Sequence, residues 1–277
     1  MNAPSNILIT GCSSGIGFCA AKVLHQRGYN VIATVRKAED AILLQQLGIT
    51  TTLLDLDHSL SIQQAINFSL DHFEGQIDAL FNNAAYGQPG AVEDLTRDVL
   101  RQQFETNLFG TQELSNLVIS QMRKQGHGRI IYNSSVLGLV SMSFRGAYNA
   151  SKFALEGLID TLRLELYDSN IHISLIEPGP ILSDFRKNSF EKYQQNINRD
   201  QSVHKEIYLA MEQRLTKQGA AVPFTLPADT VVKKLIHALE SKRPKIRYYV
   251  TFPTYLFTFL KRILPHRWLD YIIIKIQ

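Results

Sequence analysis

The chain has 277 residues, 45% hydrophobic and 19% charged, with a formal net charge of +4. That is a globular composition, long enough for one large α/β domain or two small ones. It argues against nucleic acid as a partner, because no basic stripe runs through the body of the chain. Cys12 and Cys19 stand at neither metal-ligand nor redox spacing, so no metal site and no disulfide framework is expected, and both read as reduced thiols of a cytoplasmic protein. Met1 to Ser5 carries no positive side chain, and no signal peptide is expected.

Short apolar, β-rich runs alternate with longer helical stretches. Ile7 to Thr10 reads as a first strand and Gly15 to Arg27 as a helix closed by Gly28. Val31 to Val35 is a second strand and Thr51 to Leu56 a third, followed by a helix from Ser59 to Phe73. A fourth strand spans Ala79 to Asn82, and one long amphipathic stretch runs from Leu95 to Lys124. Arg129 to Ser134 is a fifth strand, and the next helix continues to Tyr167. Ile171 to Ile176 and Ile246 to Val250 are the sixth and seventh. Strands separated by helices imply a seven-stranded parallel sheet covered on both faces, an α/β doubly wound fold. The expectation is one dinucleotide-binding domain over residues 1–277. A polar, loosely helical insertion at 185–222 interrupts the alternation where a substrate-binding loop would sit.

Thr10 to Gly17 reads T-G-C-S-S-G-I-G between the first strand and the first helix. Gly11 permits a tight turn, Gly15 lets the backbone approach a pyrophosphate, and Gly17 lets the helix pack on the sheet. Ser13, Ser14 and Ile16 complete the turn, and the helix N-terminus offers free N–H groups to phosphates. After the second strand, where an acid would bind a ribose 2′-hydroxyl, the chain has Val35, Arg36 and Lys37. An arginine fork suits a 2′-phosphate, which points to NADP(H). Asp55, beside Leu56, is placed to reach the adenine, and Asp57 reads as a cap for the following helix. The small-residue turn Asn82, Asn83, Ala84, Ala85 permits close backbone approach to a cofactor.

Tyr148 and Lys152 lie four residues apart in A-Y-N-A-S-K, a spacing that puts both on one helix face. A phenol of pKa ~10 becomes a proton carrier at neutral pH only if shifted by about three units, roughly 4 kcal/mol of differential stabilisation. The Lys152 ammonium together with an oxidised nicotinamide is expected to supply it. Ser135, thirteen residues before the tyrosine, would hold the substrate oxygen, with Ser134 the competing candidate.

Taken together, the glycine turn, N-N-A-A, Asn107 in E-T-N-L-F-G, S-S-V-L-G, Y-N-A-S-K and E-P-G-P-I resemble the short-chain dehydrogenase/reductase family, in family order from residue 6 to 185. The nearest branch in that resemblance is the NADP-dependent aldehyde reductases, with hydroxysteroid and retinol dehydrogenases beside it. Ala85 departs from the glycine usual in the family. The resemblance implies a Rossmann fold and a homo-oligomer. It makes Tyr148 the acid or base, Lys152 the group that lowers its pKa and binds the nicotinamide ribose, and Ser135 the group that polarises the substrate oxygen. Asn107 would hold a water that links Lys152 to solvent. Pro178, Gly179 and Ile181 would line the nicotinamide, and Ser183 would bond its carboxamide. The expected substrate is a small carbonyl compound or alcohol, with Met142, Phe144, Phe185, Phe190 and Tyr193 hinting at an apolar one. A non-catalytic NADP(H) sensor is the rival from another class, and loss of the Tyr or Lys would have favoured it.

The last stretch, 251–277, is apolar and aromatic. The uncharged run Tyr248 to Leu260 is interrupted by Pro253 and is too short to span a bilayer. Lys261, Arg262, His266 and Arg267 follow. Three uses fit such a tail: a flap over an apolar pocket, a subunit interface, or peripheral contact with a membrane surface.

Overall fold

The computed structural model describes residues 5–276. Seven strands form one parallel sheet in the order β3-β2-β1-β4-β5-β6-β7. These are β1 (Asn6–Ile9), β2 (Asn30–Val35), β3 (Thr50–Leu53), β4 (Ala79–Asn82), β5 (Gly128–Asn133), β6 (Ile171–Pro178) and β7 (Arg247–Val250). The order reverses between β1 and β4, and the strand ends there open a crevice where a doubly wound sheet takes its ligand.

Alternation along each strand builds a core on either side of the sheet. Ile7, Ile9, Val31, Ala33, Phe81 and Ile176 face one layer, with helices α1 (Gly15–Gln26) and α9 (Asp229–Glu240) packed over them. Leu8, Ile32, Leu80, Ile130 and Tyr132 face the other, under α3 (Ser59–His72), α5 (Thr111–Gln125) and α6 (Gly146–Glu165). A short helix, α2 (Ile42–Gln46), precedes β3.

Several boundaries differ from the sequence reading. β3 ends at Leu53, because its pairing with β2 stops at Val35↔Leu53. The stretch from Leu95 is not one helix. Helix α4 (Arg97–Phe104), capped by the Thr96 hydroxyl accepting from the Val99 N–H, gives way to a π-helical turn over Glu105–Gly110 before α5 begins. Gly110 lies so close to the Leu56 carbonyl that an added Cβ would sit 1.9 Å from that oxygen. The 185–222 segment is more ordered than expected. It forms α7 (Phe185–Asn196), a 3₁₀ turn and α8 (Lys205–Thr216), whose Tyr193, Tyr208 and Met211 are buried against Ala91, Leu95 and Val99. The Tyr208 hydroxyl donates to Asp94 and accepts from the Ala91 N–H, which fixes α8 to the main body. Pro253 does not break the apolar tail. It stands in the first turn of α10 (Phe252–Ile263), where a proline has no N–H to lose, and α11 (His266–Lys275) follows.

Candidate active site

The turn after β1 is held by its neighbours. Thr10 Oγ1 accepts from the backbone N–H groups of Asn83 and Ala84, both at 2.9 Å. The Asn83 amide returns hydrogen bonds to the carbonyls of Thr10 and Gly11. Gly11 adopts φ +70, and a Cβ on Gly17 would sit 2.1 Å from the Gly11 carbonyl, so neither position tolerates a side chain. Ser14 is the N-cap of α1, its hydroxyl makes no capping bond, and the first turn carries no acid. The N–H groups there, with the exposed Ser13, form a cradle of the kind that takes a pyrophosphate. Gly15 meets Ser183 from the segment after β6, whose Cβ lies 2.9 Å from where a Gly15 Cβ would be, so the two halves of the crevice touch. Ile16 turns inward, packed against the core below.

Around this cradle, Arg36 and Lys37 are exposed at the end of β2. Lys37 faces Glu39 at 3.7 Å, while among the described residues Arg36 makes no ion pair. Asp55 sits beyond β3, its carboxylate accepting from the Asp57 N–H. The Leu56 side chain is buried in the core, so only its backbone can face a cofactor. Asp57 does not cap α3; its carboxylate accepts from the Thr106 hydroxyl instead. Gly179 is fixed by its N–H to the Val250 carbonyl, after Pro178 closes β6, and Ile181 bridges to Leu226.

The reacting groups come from β5 and α6. Ser135 opens a short 3₁₀ turn directly after β5, and its Oγ accepts from the Leu137 N–H. Its hydroxyl is near enough to Tyr148 to pull the phenol's pKa down, against the larger upward push of burial. Tyr148 lies two residues into α6, and Lys152 follows one turn later, 2% exposed. The Lys152 Nζ donates to the Asn133 carbonyl at 2.8 Å and lies 5.7 Å from the Tyr148 ring centre. Phe185, at the start of α7, meets the Tyr148 ring edge-to-face at 5.3 Å.

Burial pushes the Tyr148 phenol up to about 12, against the pull of the Ser135 hydroxyl. Burial also pushes Lys152 down to about 8, against the upward pull of the Glu156 charge. Lys152 is itself desolvated, and its ammonium donates to the Asn133 carbonyl.

Asn107 is held in place by hydrogen bonds to protein groups. It is buried in the π turn, where its amide donates to the Tyr86 carbonyl and the Ser151 hydroxyl while its Oδ1 accepts from the Tyr86 N–H. These bonds clamp the N-N-A-A-Y loop to α6.

A second charged group sits behind Lys152 and escaped the sequence reading. Glu156, one turn further along α6, accepts from the Ser134 hydroxyl and from Arg247. The same arginine nitrogen reaches Glu177, 0% exposed on β6, and its other arm reaches Asp160 at 2.6 Å. Burial, and then the Glu156 charge, push the Glu177 carboxyl up to about 8. This network touches the strand end that carries Ser135, the Tyr148 helix and the strand that runs into Pro178. Its one readable sign was the extension of Y-x-x-x-K by a glutamate four residues on. Tyr86, which anchors Asn107, carried no such sign.

A parallel doubly wound sheet with a glycine-turn cradle at its switch point, beside a Ser/Tyr/Lys cluster, defines an NAD(P)(H)-dependent oxidoreductase. The model of the short chain dehydrogenase family matches residues 5–194, and the chain belongs to that family. It is 40% identical to the "Uncharacterized oxidoreductase YbbO" of Escherichia coli K12, over 97% of this chain and 93% of that one. It is 33% identical to human "Retinol dehydrogenase 8", over 88% of this chain and 81% of that protein, and 31% identical to human "17-beta-hydroxysteroid dehydrogenase type 1", over 88% and 77%. Among solved structures, a short-chain dehydrogenase from Streptomyces avermitilis superposes with a TM-score of 0.74 at 25% identity, covering 97% of this chain and 94% of that one. One from Burkholderia phymatum, solved in complex with NAD, shares the fold at a TM-score of 0.79 and 23% identity, covering 98% and 96%.

Proposed function

We propose that this chain is an NADP(H)-dependent reductase of aldehydes or ketones. The observation that carries the reading is the convergence of Ser135 and Tyr148 beside the buried Lys152, whose Nζ lies 5.7 Å from the Tyr148 ring centre. When bound, the nicotinamide cofactor supplies a hydride to the carbonyl carbon. Tyr148 delivers its phenolic proton to the carbonyl oxygen, and the Ser135 hydroxyl donates a hydrogen bond to the charge that builds there. A phenol pushed up to about 12 stays protonated through the neutral range, which is the form a reduction needs from its acid. Lys152, still mostly charged at neutral pH with its value near 8, keeps a positive field beneath the reacting oxygen. Asn107 and the N-N-A-A-Y loop hold α6 in register with the cofactor side.

NADP(H) preference is supported by the exposed Arg36 and Lys37 where an acid would otherwise reject a 2′-phosphate. A second reading, oxidation of an apolar alcohol, is favoured by the retinol and hydroxysteroid dehydrogenases among the relatives. Following NADPH oxidation against a panel of aliphatic and aromatic aldehydes, ketosteroids and retinal tests the first reading, with Tyr148→Phe as the control. The variant should bind NADPH normally and lose turnover by about a hundredfold or more, the usual range for a lost acid–base group. Near-normal turnover in that variant refutes the assignment.

A further inference from the structure

We infer that the outer face of α10, extended by Phe224, docks on the headgroup layer of an anionic lipid bilayer. This helix is apolar on two sides. Its inner side, through Phe257 and Leu260, packs with Leu269 and Ile273 of α11 onto Val136 and Tyr148, so it walls the candidate active site. Its outer side carries Phe252, Tyr255, Phe259 and Ile263, each between 51% and 60% exposed. The intervals of three, four and four residues place all of them on one helical face. The Phe224 ring, 58% exposed, lies 5.0 Å from that of Phe252. Its backbone is at φ +60, a conformation a bulky side chain rarely adopts. The protein thus holds a strained phenylalanine with its ring in solvent, in line with an aromatic stripe. With roughly half of each side chain exposed, the five residues present an apolar patch on the order of 500 Å², as large as the largest patches on typical monomers.

Charge selects the occupant. Residues 252–276 hold four lysines and arginines against a single acid, Asp270. Lys261 is engaged internally with the Leu139 carbonyl, while Arg262 flanks the stripe and Arg262, Arg267 and Lys275 are exposed. Aromatic rings bordered by arginine and lysine, with Trp268 and Tyr271 also exposed, match the interfacial zone of a bilayer that carries negative headgroups. A second copy of this chain fits less well, because a two-fold contact brings like cations together. No helix among the described residues is long and apolar enough to cross a membrane, so the contact is one of lying on the surface.

The test is co-sedimentation of the full chain with vesicles of phosphatidylcholine alone and with vesicles that also contain phosphatidylglycerol. The wild type should pellet with the mixed vesicles about tenfold more than with the neutral ones at low salt. Phe252→Glu/Phe259→Glu should abolish pelleting while leaving the thermal melt and the sedimentation coefficient unchanged. Arg262→Gln/Arg267→Gln, which leaves every apolar residue in place, should reduce it several-fold. Absence of pelleting with either vesicle overturns the inference, as does equal pelleting with both. It is also overturned if the phenylalanine variant changes self-association in the absence of lipid, which would assign the face to a second copy. None of these readouts depends on the hydride-transfer reading.

Discussion

Replacing Arg247 with methionine should destabilise the protein in a pH-dependent way. Among the described residues, Arg247 is the cation that forms ion pairs with Glu156 and Glu177, whose side chains are 8% and 0% exposed. Removing one partner of a buried ion pair typically costs about 3–5 kcal/mol, because the remaining charge stays desolvated. Asp160, 40% exposed, adds little to that figure, since water screens it. For a chain of this size the loss corresponds to a fall in Tm of about 6–10 °C. The sign of the pH dependence follows from Glu177. Its folded value, raised to about 8, lies above the unfolded carboxyl value of about 4.3, so between the two the folded state holds more protons. Stability therefore already falls as pH rises through that window in the wild type, by up to ~1.4 kcal/mol per pH unit for a single proton. Without Arg247, which pulls both glutamates down, Glu156 and Glu177 rise further and the window extends to higher pH. At low pH both carboxyls are neutral and the lesion shrinks. Thermal unfolding followed by circular dichroism at about pH 6 and about pH 9 should show a larger gap between variant and wild type at the higher pH. An equal gap at both, or no gap, would refute the reasoning.

Three further outcomes are expected. Glu156→Gln removes the charge that opposes burial at Lys152, so the alkaline limb of kcat/KM, near 8 in the wild type, should move to lower pH and activity at about pH 8.5 should drop several-fold; a lowered plateau with an unmoved limb would mean that Glu156 acts only on the fold. Arg36→Ala should lose about 1.5–3 kcal/mol of NADPH binding, a charge-assisted hydrogen bond's worth, while NADH binding holds; equal losses with both cofactors would show that Arg36 does not read the 2′-phosphate. Gly17→Ala, whose methyl would lie 2.1 Å from the Gly11 carbonyl, should shift the turn, abolish dinucleotide binding by fluorescence titration and lower Tm, with overpacking of this kind costing about 1–3 kcal/mol.

What the sequence revealed was local. The strand and helix alternation, the left-handed glycine of the first turn and the placement of Tyr148 and Lys152 on one helical face are short-range patterns, and spacing alone carries them. β3 could not be bounded that way, because its end is set by where β2 stops offering partners. The π turn at Asn107 was hidden for the same reason: Gly110 must pass the Leu56 carbonyl, a contact between distant segments. Desolvation is likewise a property of the packed state. Nothing in Y-N-A-S-K says that the lysine is buried, or that burial pushes the phenol up and the ammonium down. The charge network shows where legibility ends. Glu156 stands four residues after Lys152 and its position could be read from the helix. Its partner could not, since Arg247 reaches it only through the parallel register of β6 and β7, in which Leu175 lies beside Arg247 and Glu177 beside Tyr249. That register sets Arg247 diagonally across from Glu177, two positions along the strand, and within reach of Glu156 on the helix that packs over it. The cation that holds two buried carboxylates behind Lys152 is therefore supplied by the last strand of the sheet, immediately before α10. Folding of the C-terminal segment and assembly of the site behind Lys152 are thereby coupled, and a truncation that removes β7 should remove both.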